Sequence, residues 1–399
     1  MKTNIKAFRR AHSSAQIVNS IDDLLIDIFL RLPIKSLVRF KLVSKRWHSL
    51  VTDPQFCLMR SNTNPNPAVG LFLLSPTDSI SYDYVSLSIN KSGNPPFRKL
   101  DFDDEPRGVR ILQSCNGLLL CCSNSARDCN KRYYVYNPTT KNFSTLPKLN
   151  GVGGISKRMC GMNLAFDPAK SPHYKVVCVR RLRSDSGEYR YQFAVYSSEK
   201  GPWRKWGDPY TAGVVFETGV YWNGAIHWIS NGTTDSCYFD LERQALEIMP
   251  MPPIPEEWDW RSNSYFGESC GHLHYVEFFG PLIKFDVHEM KMDHSEWFVK
   301  YRVDLSRVVD AYPEMIRDYI DPTDWYYYAF MIFTLVRGEE EEDSFLALQI
   351  PGKVVRYNLV CKSFETMHEF EFEGSESSEG SLRYASANGF QYIESLCCV

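Results

Sequence analysis

A chain of 399 residues with 44% hydrophobic, 23% charged and 14% aromatic side chains has ordinary globular composition, so collagen-like, coiled-coil and wholly disordered readings fall away. Its formal charge of −3 supplies no basic field for nucleic acid. No run of 18 or more apolar residues is present, so no helix is expected to cross a membrane, and at about 150 residues per domain the length suits two or three domains, or one large all-β unit with a companion.

Residues 1–19 are basic, free of acids and without the apolar centre of a secretory signal; they read as a disordered tail. The 12 Cys sit at irregular spacings with no CxxC, which fits reduced thiols in a cytoplasmic or nuclear protein. The sequons at Asn90, Asn142 and Asn231 are then chemically silent.

From Ser20 to about Phe56 the pattern is helical. Ser20 offers an N-cap and Asp23 lies three residues on, a near capping box. Leu24, Leu25, Ile28, Phe29 and Leu32 share one broad face at 100° steps, while Ile26 and Leu30 point elsewhere. Pro33 breaks this helix, and Asp53-Pro54 closes the run. About 40 residues are marginal as a lone domain, and each large apolar side chain left in water forgoes roughly 1.5–3 kcal/mol. The segment therefore docks either on the rest of this chain or on another protein.

The stretch IDDLLIDIFLRLPIKSLVRFKLVSKRWHSLVTDPQF, residues 21–56, closely resembles a plant F-box, through its RLP-IKSL turn, VSKRW helix and closing DPxF. The resemblance implies a three-helix module over residues 20–60 that docks on the Skp-type adaptor of an SCF ubiquitin ligase, and through it on a cullin scaffold and a RING subunit. It implicates Leu24, Leu25, Ile28, Leu32, Pro33, Leu37, Val43 and Trp47, some as adaptor contacts and some as module core. The Leu-Pro with which many members begin is here Ser20-Ile21. Residues 20–60 hold seven Lys or Arg against four Asp, a net +3 that leaves −6 for the remainder; such a face suits an acidic adaptor or simple solvation.

Residues 61–69 form a polar, Pro-containing linker, and strands follow over 70–399. A unit recurs: Asn116-Gly117 with an apolar strand, a second strand ending at Asn137, and a third over Phe143–Leu146; again from Asn223-Gly224, from Cys270-Gly271, and over 345–367. At roughly 50 residues per unit these fit six or seven β-propeller blades of the kelch kind. The landmarks SCNGL (114–118), VYNPTT (135–140), GMNLAFDP (161–168), YKVV (174–177) and GVYWNG (219–224) resemble the plant F-box-associated interaction domain. Tyr392–Leu396 matches that family's closing strand and is expected to pair with Val69–Leu74 to close the ring.

No P-loop, GxSxG, HExxH or GxGxxG is present, so no catalytic residue is assigned. No cofactor or metal is expected: His272 and His274 alternate on a strand without a third ligand. Trp258 and Trp260, on a Pro-rich loop, could anchor a partner or fold back over an edge. Asp324–Leu335 reads as one or two buried strands, the acidic run Glu339–Asp343 as a solvated loop, and Arg180, Arg181 and Arg183 as a charged strand edge. The reading for the whole is a non-catalytic receptor: the head binds the ligase adaptor, and the β-domain binds an unknown protein target, with no nucleic acid or membrane partner. The rivals are a non-ligase regulator that sequesters its partner and a glycan- or small-molecule-binding propeller.

Overall fold

The computed structural model describes residues 21–399 apart from 64–66, 77–78, 88–94, 102–104, 106, 126–130, 150–157, 184–188, 211–212, 231–234, 259–260, 262, 371–380 and 385–388. The tail 1–19, Ser20 and Trp260, together with the sequons at Asn90 and Asn231, lie outside the described residues.

The head has four helices where three were expected: α1 (Asp22–Leu30), α2 (Ile34–Phe40), α3 (Lys45–Thr52) and α4 (Pro54–Thr63). Ile21 occupies the N-cap of α1, and Asp22 and Asp23 stand in the first turn. Ser44 caps α3, its Oγ accepting from the Trp47 N–H at 3.1 Å. Asp53-Pro54 starts a helix rather than closing the run. Proline fits the first helical position, where its missing N–H leaves no bond unmade, and the Asp53 carboxylate accepts from the Gln55 N–H at 2.7 Å.

Behind the head stands a six-bladed β-propeller. Blade 2 contains Val109–Cys115, Leu118–Ser123, Tyr133–Asn137 and Asn142–Thr145; blade 3 contains Arg158–Ala165, Lys175–Arg183, Tyr189–Ser197 and Gly201–Tyr210. Blade 4 contains Val220–Trp222, Ala225–Trp228, Ser236–Asp240 and Ala245–Met249. Blade 5 contains Asn263–Ser269, His272–Glu277, Lys284–Met290 and Trp297–Asp304; blade 6 contains Met331–Val336, Phe345–Ile350, Lys353–Asn358 and Phe364–Glu369. Each is an antiparallel meander, its strands lettered a to d outward from the axis. The a strands follow one another round the ring, with Gly389–Ile393 between those of blades 6 and 2.

Blade 1 closes the circle. Gly389–Ile393 is its innermost strand and pairs with Ala68–Leu74, which pairs in turn with Tyr82–Ser86. The register sets Leu71 opposite Gln391 and Phe72 opposite Phe390, so the expected closure occurs with its strand at 389–393, a few residues earlier in the chain than 392–396.

The recurring sequence unit has a simple physical basis. Asn116-Gly117, Asn223-Gly224 and Cys270-Gly271 all have positive φ at both positions, as a tight hairpin of the right twist requires. The first residue of each pair reaches to the next blade: Asn116 Nδ2 donates to Phe166 O at 2.7 Å, Asn223 Nδ2 to Met292 O at 3.0 Å, and the Cys270 thiol to Arg337 O at 3.3 Å. The Asx residue ending strand c caps the c–d turn. Asn137 Oδ1 accepts from Thr139 N, Asp240 Oδ1 from Glu242 and Arg243 N, and Asn358 Oδ1 from Val360 and Cys361 N. Gly161 admits no side chain, since a Cβ there would lie 2.0 Å from Phe216 O.

One local expectation is corrected. The strand of the 324–335 stretch begins only at Met331 and runs to Val336; 324–330 is irregular, with Tyr326 exposed. In blade 5 the turn after the third strand is capped by Asp293, its Oδ1 accepting from Ser295 N.

Candidate functional site

The interior of the head is aromatic. The Phe29 ring lies 5.1 Å from Trp47 and 5.7 Å from Phe40, and edge-on to Phe56 at 6.5 Å. Leu25, Phe29, Ile34, Leu37, Phe56 and Cys57 continue into one core with Cys115, Phe166, Leu396 and Cys397 of the ring. Lys35 Nζ meets Glu394 Oε1 at 3.2 Å, and Asn62 Nδ2 donates to Ala169 O at 3.0 Å. A thiol–thiol hydrogen bond to Cys397 first, and then burial, push the Cys57 thiol far up, so it stays protonated. The head is thus seated on the propeller face that carries the a–b turns.

One side of the head remains uncovered. Leu24 is 42% exposed, Ile28 44%, Val43 59% and Leu42 88%. Leu24 and Ile28 stand one turn apart on α1, and Leu42-Val43 occupy the break between α2 and α3. Leu25 and Leu37 (3% and 0% exposed) are core residues and offer nothing to a partner. Leu32 and Trp47 are half-buried and Pro33 is exposed. Leu42 was absent from the sequence-derived set; its signal was an apolar pair placed where the helix stops, just before the Ser44 cap. Arg46 Nε holds Asp22 Oδ1 at 2.9 Å across this side, and Arg60 donates to Leu32 O at 3.1 Å, fixing α1 to α3 and α4.

The ring encloses a channel of about 630 Å³ lined by the a strands. Its amides and hydroxyls bind across blades: Gln113 bonds both ways with Leu164, Ser114 Oγ donates to Gln391 O, and Gln391 Nε2 donates to Thr334 Oγ1 at 2.7 Å. His272 and His274 both face Glu289, whose carboxylate also takes Arg337 at 2.9 Å. Burial opposes its charge, yet the bonds from the two histidines hold the Glu289 carboxyl well below its usual range. These histidines thus belong to an ion cluster joining blades 5 and 6. Among the described residues no group of three or more His, Cys, Asp or Glu is arranged to hold a metal. His227 is fully buried, its Nε2 2.8 Å from His294 Nε2; burial first, and then His294, push it down to about 3.

On the opposite face, Trp258 is half-buried against Phe279 (5.9 Å) and edge-on to Trp325 (5.0 Å). Trp203 bridges blades 2 and 3, its Nε1–H donating to Pro147 O at 2.7 Å. In the acidic loop, Glu341 pairs with Lys300 at 2.8 Å and Arg337 at 3.7 Å. Arg181 lies over the Tyr189 ring at 4.2 Å; the side chain of Arg183 is outside the described set.

The head matches the family model described as F-box domain over residues 22–59, and the ring the model described as F-box associated beta propeller domain over 71–264. F-box protein At5g07610 of Arabidopsis thaliana is 40% identical over 410 residues, covering 97% of this chain and 94% of that protein. The chain belongs to the plant F-box proteins with an F-box-associated propeller. F-box protein At5g49610 of the same plant is 29% identical over 272 residues, covering 64% of this chain and 71% of that protein. The family description is that of F-box-associated propellers, and the kelch label rests on repeat spacing alone.

Proposed function

We propose that this F-box protein is the substrate receptor of an SCF-type ubiquitin ligase, itself without catalysis: the head binds a Skp-type adaptor, and the propeller presents a target protein to the ligase's E2. Holding a target close raises its local concentration, so the receptor needs no nucleophile of its own. The observation that carries the reading is the uncovered apolar set Leu24, Ile28, Leu42 and Val43 on a head whose other side is already seated on the ring. Covering such half-exposed side chains is worth about 1 kcal/mol each, and exposed apolar clusters of this kind mark interaction sites. Pro33, Leu32 and the edge of Trp47 adjoin the same module and complete the proposed contact. We place the protein in the cytoplasm or nucleus, where the 11 described cysteines, all free, stay reduced.

Full chain with Leu42→Asp and Val43→Asp should bind a plant Skp-type adaptor about a hundredfold more weakly, at unchanged melting temperature. Undiminished binding sinks the assignment. Copurification of a cullin separates the ligase from a sequestering regulator, which would bring down the adaptor alone. The channel gives little support to a ligand-binding propeller, because its polar lining is engaged between blades.

A further inference from the structure

The propeller face turned away from the head is formed by the b–c and d–a connections. Between blades 5 and 6 the d–a connection runs from 305 to 330, and only its first part, α5 (Ser306–Ala311), and a single turn at Pro313–Met315 are helical. The rest is pinned rather than loose: Ala329 N donates to Met315 O at 2.7 Å, Arg317 N to Tyr327 O at 2.9 Å, and Arg317 Nη1 to Tyr326 O at 2.7 Å. Connections of such length that are held in one shape generally serve recognition.

This segment carries Trp325 against Trp258 of the blade 4–5 connection, with Phe279 of the b–c loop of blade 5 closing the group. Beside it Tyr326 is 71% exposed. Around these rings stand Glu256, Glu257, Asp318, Asp321 and Asp324, all exposed, and the ion pairs of the described residues include none of them. Asp321 and Asp324 each turn one oxygen inward, accepting from Thr323 N and Tyr326 N at 2.8 Å. The surface is therefore aromatic, acidic and held in place by its own turns. Across the same face, at the outer ends of the blade 3 strands, stand Arg180, Arg181 and Arg190.

We infer that this acidic aromatic platform captures a basic segment of a partner protein. The rings receive the aliphatic stems and cationic heads of Arg or Lys side chains, and the carboxylates supply the opposing charge. An acidic segment is repelled from blades 5 and 6 and drawn toward blade 3, so the two halves of the face also fix direction. The inference rests on the receptor reading above and gives the chemistry of the target segment that reading requires.

The test uses the full chain purified with a Skp-type adaptor, on which random short peptides are selected by display. Recovered peptides should carry net positive charge and bind more weakly as salt rises. Their affinity should fall about tenfold or more in Trp325→Ala/Tyr326→Ala, and likewise in Glu256→Lys/Glu257→Lys/Asp318→Lys, whose exposed carboxylates stand apart from the turn bonds of Asp321 and Asp324. Neutral or acidic recovered peptides, affinity unmoved by both variants, or no recovered peptide overturns the inference. So does a full chain that sediments as a dimer and that the triple lysine variant dissolves, since the acidic half then meets the basic half of a second copy. Adaptor capture by the same preparations separates the two claims. If it persists while peptides fail, the platform is wrong; if basic peptides bind through the platform while the adaptor is never captured, the receptor reading is wrong.

Discussion

The two ends of the molecule are built for contact by opposite means. The head exposes the aliphatic side chains of Ile21, Leu24, Ile28, Leu42 and Val43 on short helices and the breaks beside them, whose shape is set by the aromatic group of Phe29, Phe40, Trp47 and Phe56. The far face of the ring exposes rings and carboxylates on connections that the blades merely support. An apolar patch of fixed shape suits one constant partner, because its energy comes from area and fit. Polar and aromatic groups on loops can be exchanged without disturbing the strands beneath them. The difference teaches where variation is tolerated: the head's apolar surface must keep its area and fit, whereas the side chains on the ring's loops can vary.

The sharpest way to break this comparison is to open the ring. Removing residues 389–399 deletes the innermost strand of blade 1 together with Leu396 and Cys397, which the head uses as part of its seat. The melting temperature should fall by more than about 10 °C and the transition lose its cooperativity; an unchanged thermogram would show that closure is ornamental. Next, Trp47→Ala should destabilise the head by about 3 kcal/mol, because it empties a space between Phe29 and Phe40. Adaptor binding is then lost through unfolding, visible as lost helical circular dichroism. The Leu42 and Val43 variants should keep that signal, which separates core from surface.

Acid gives a smaller effect located in the ring. His227 is neutral when folded, with its pKa held at about 3 against an ordinary 6.5. The unfolded chain therefore binds a proton below pH 6.5 that the folded chain refuses, so stability falls as the pH drops through that window and is regained above it. Between pH 6.5 and about 5 this one group should remove about 1 to 2 kcal/mol. In His227→Gln the slope of melting temperature against pH should flatten; an unchanged slope would assign it to other groups. The smallest effect belongs to Lys35→Ala. Its partner Glu394 lies at the rim of the head's seat and Lys35 is largely exposed, so urea unfolding should move by less than about 0.5 kcal/mol.

Much of this was legible because it repeats or is strongly periodic. The Asn-Gly pairs at 116–117 and 223–224 announce hairpins, and the Asx residue ending strand c explains why Asn137, Asp240 and Asn358 look alike in sequence. The innermost strands were harder to see. They line the central channel with Arg110, Gln113, Ser114, Gly267 and Glu268, which blurs the apolar alternation that marks a strand. Asp53-Pro54 was misread because the same pair can end one helix and begin another. The 324–330 aromatics imitated a buried strand, although Asp321-Pro-Thr-Asp324 carries turn residues that leave Tyr326 exposed while Tyr328 and Phe330 pack on the core. At the head, period alone grouped Leu24, Leu25, Ile28 and Phe29 on one face. Packing against the other helices and the ring decides that Leu25 and Phe29 turn inward, Phe29 among Phe40, Trp47 and Phe56, while Leu24 and Ile28 do not.

The interleaving of blade 1 imposes an order on synthesis. At about 5–20 residues per second a ribosome needs roughly 20 to 80 s to make the chain. The helices emerge first, yet Phe56 and Cys57 have no Leu396 or Cys397 to rest on until translation is almost finished. A message cut short before codon 389 would release the head with no closed ring behind it, and on the receptor reading proposed above such a fragment would compete with intact relatives for the adaptor.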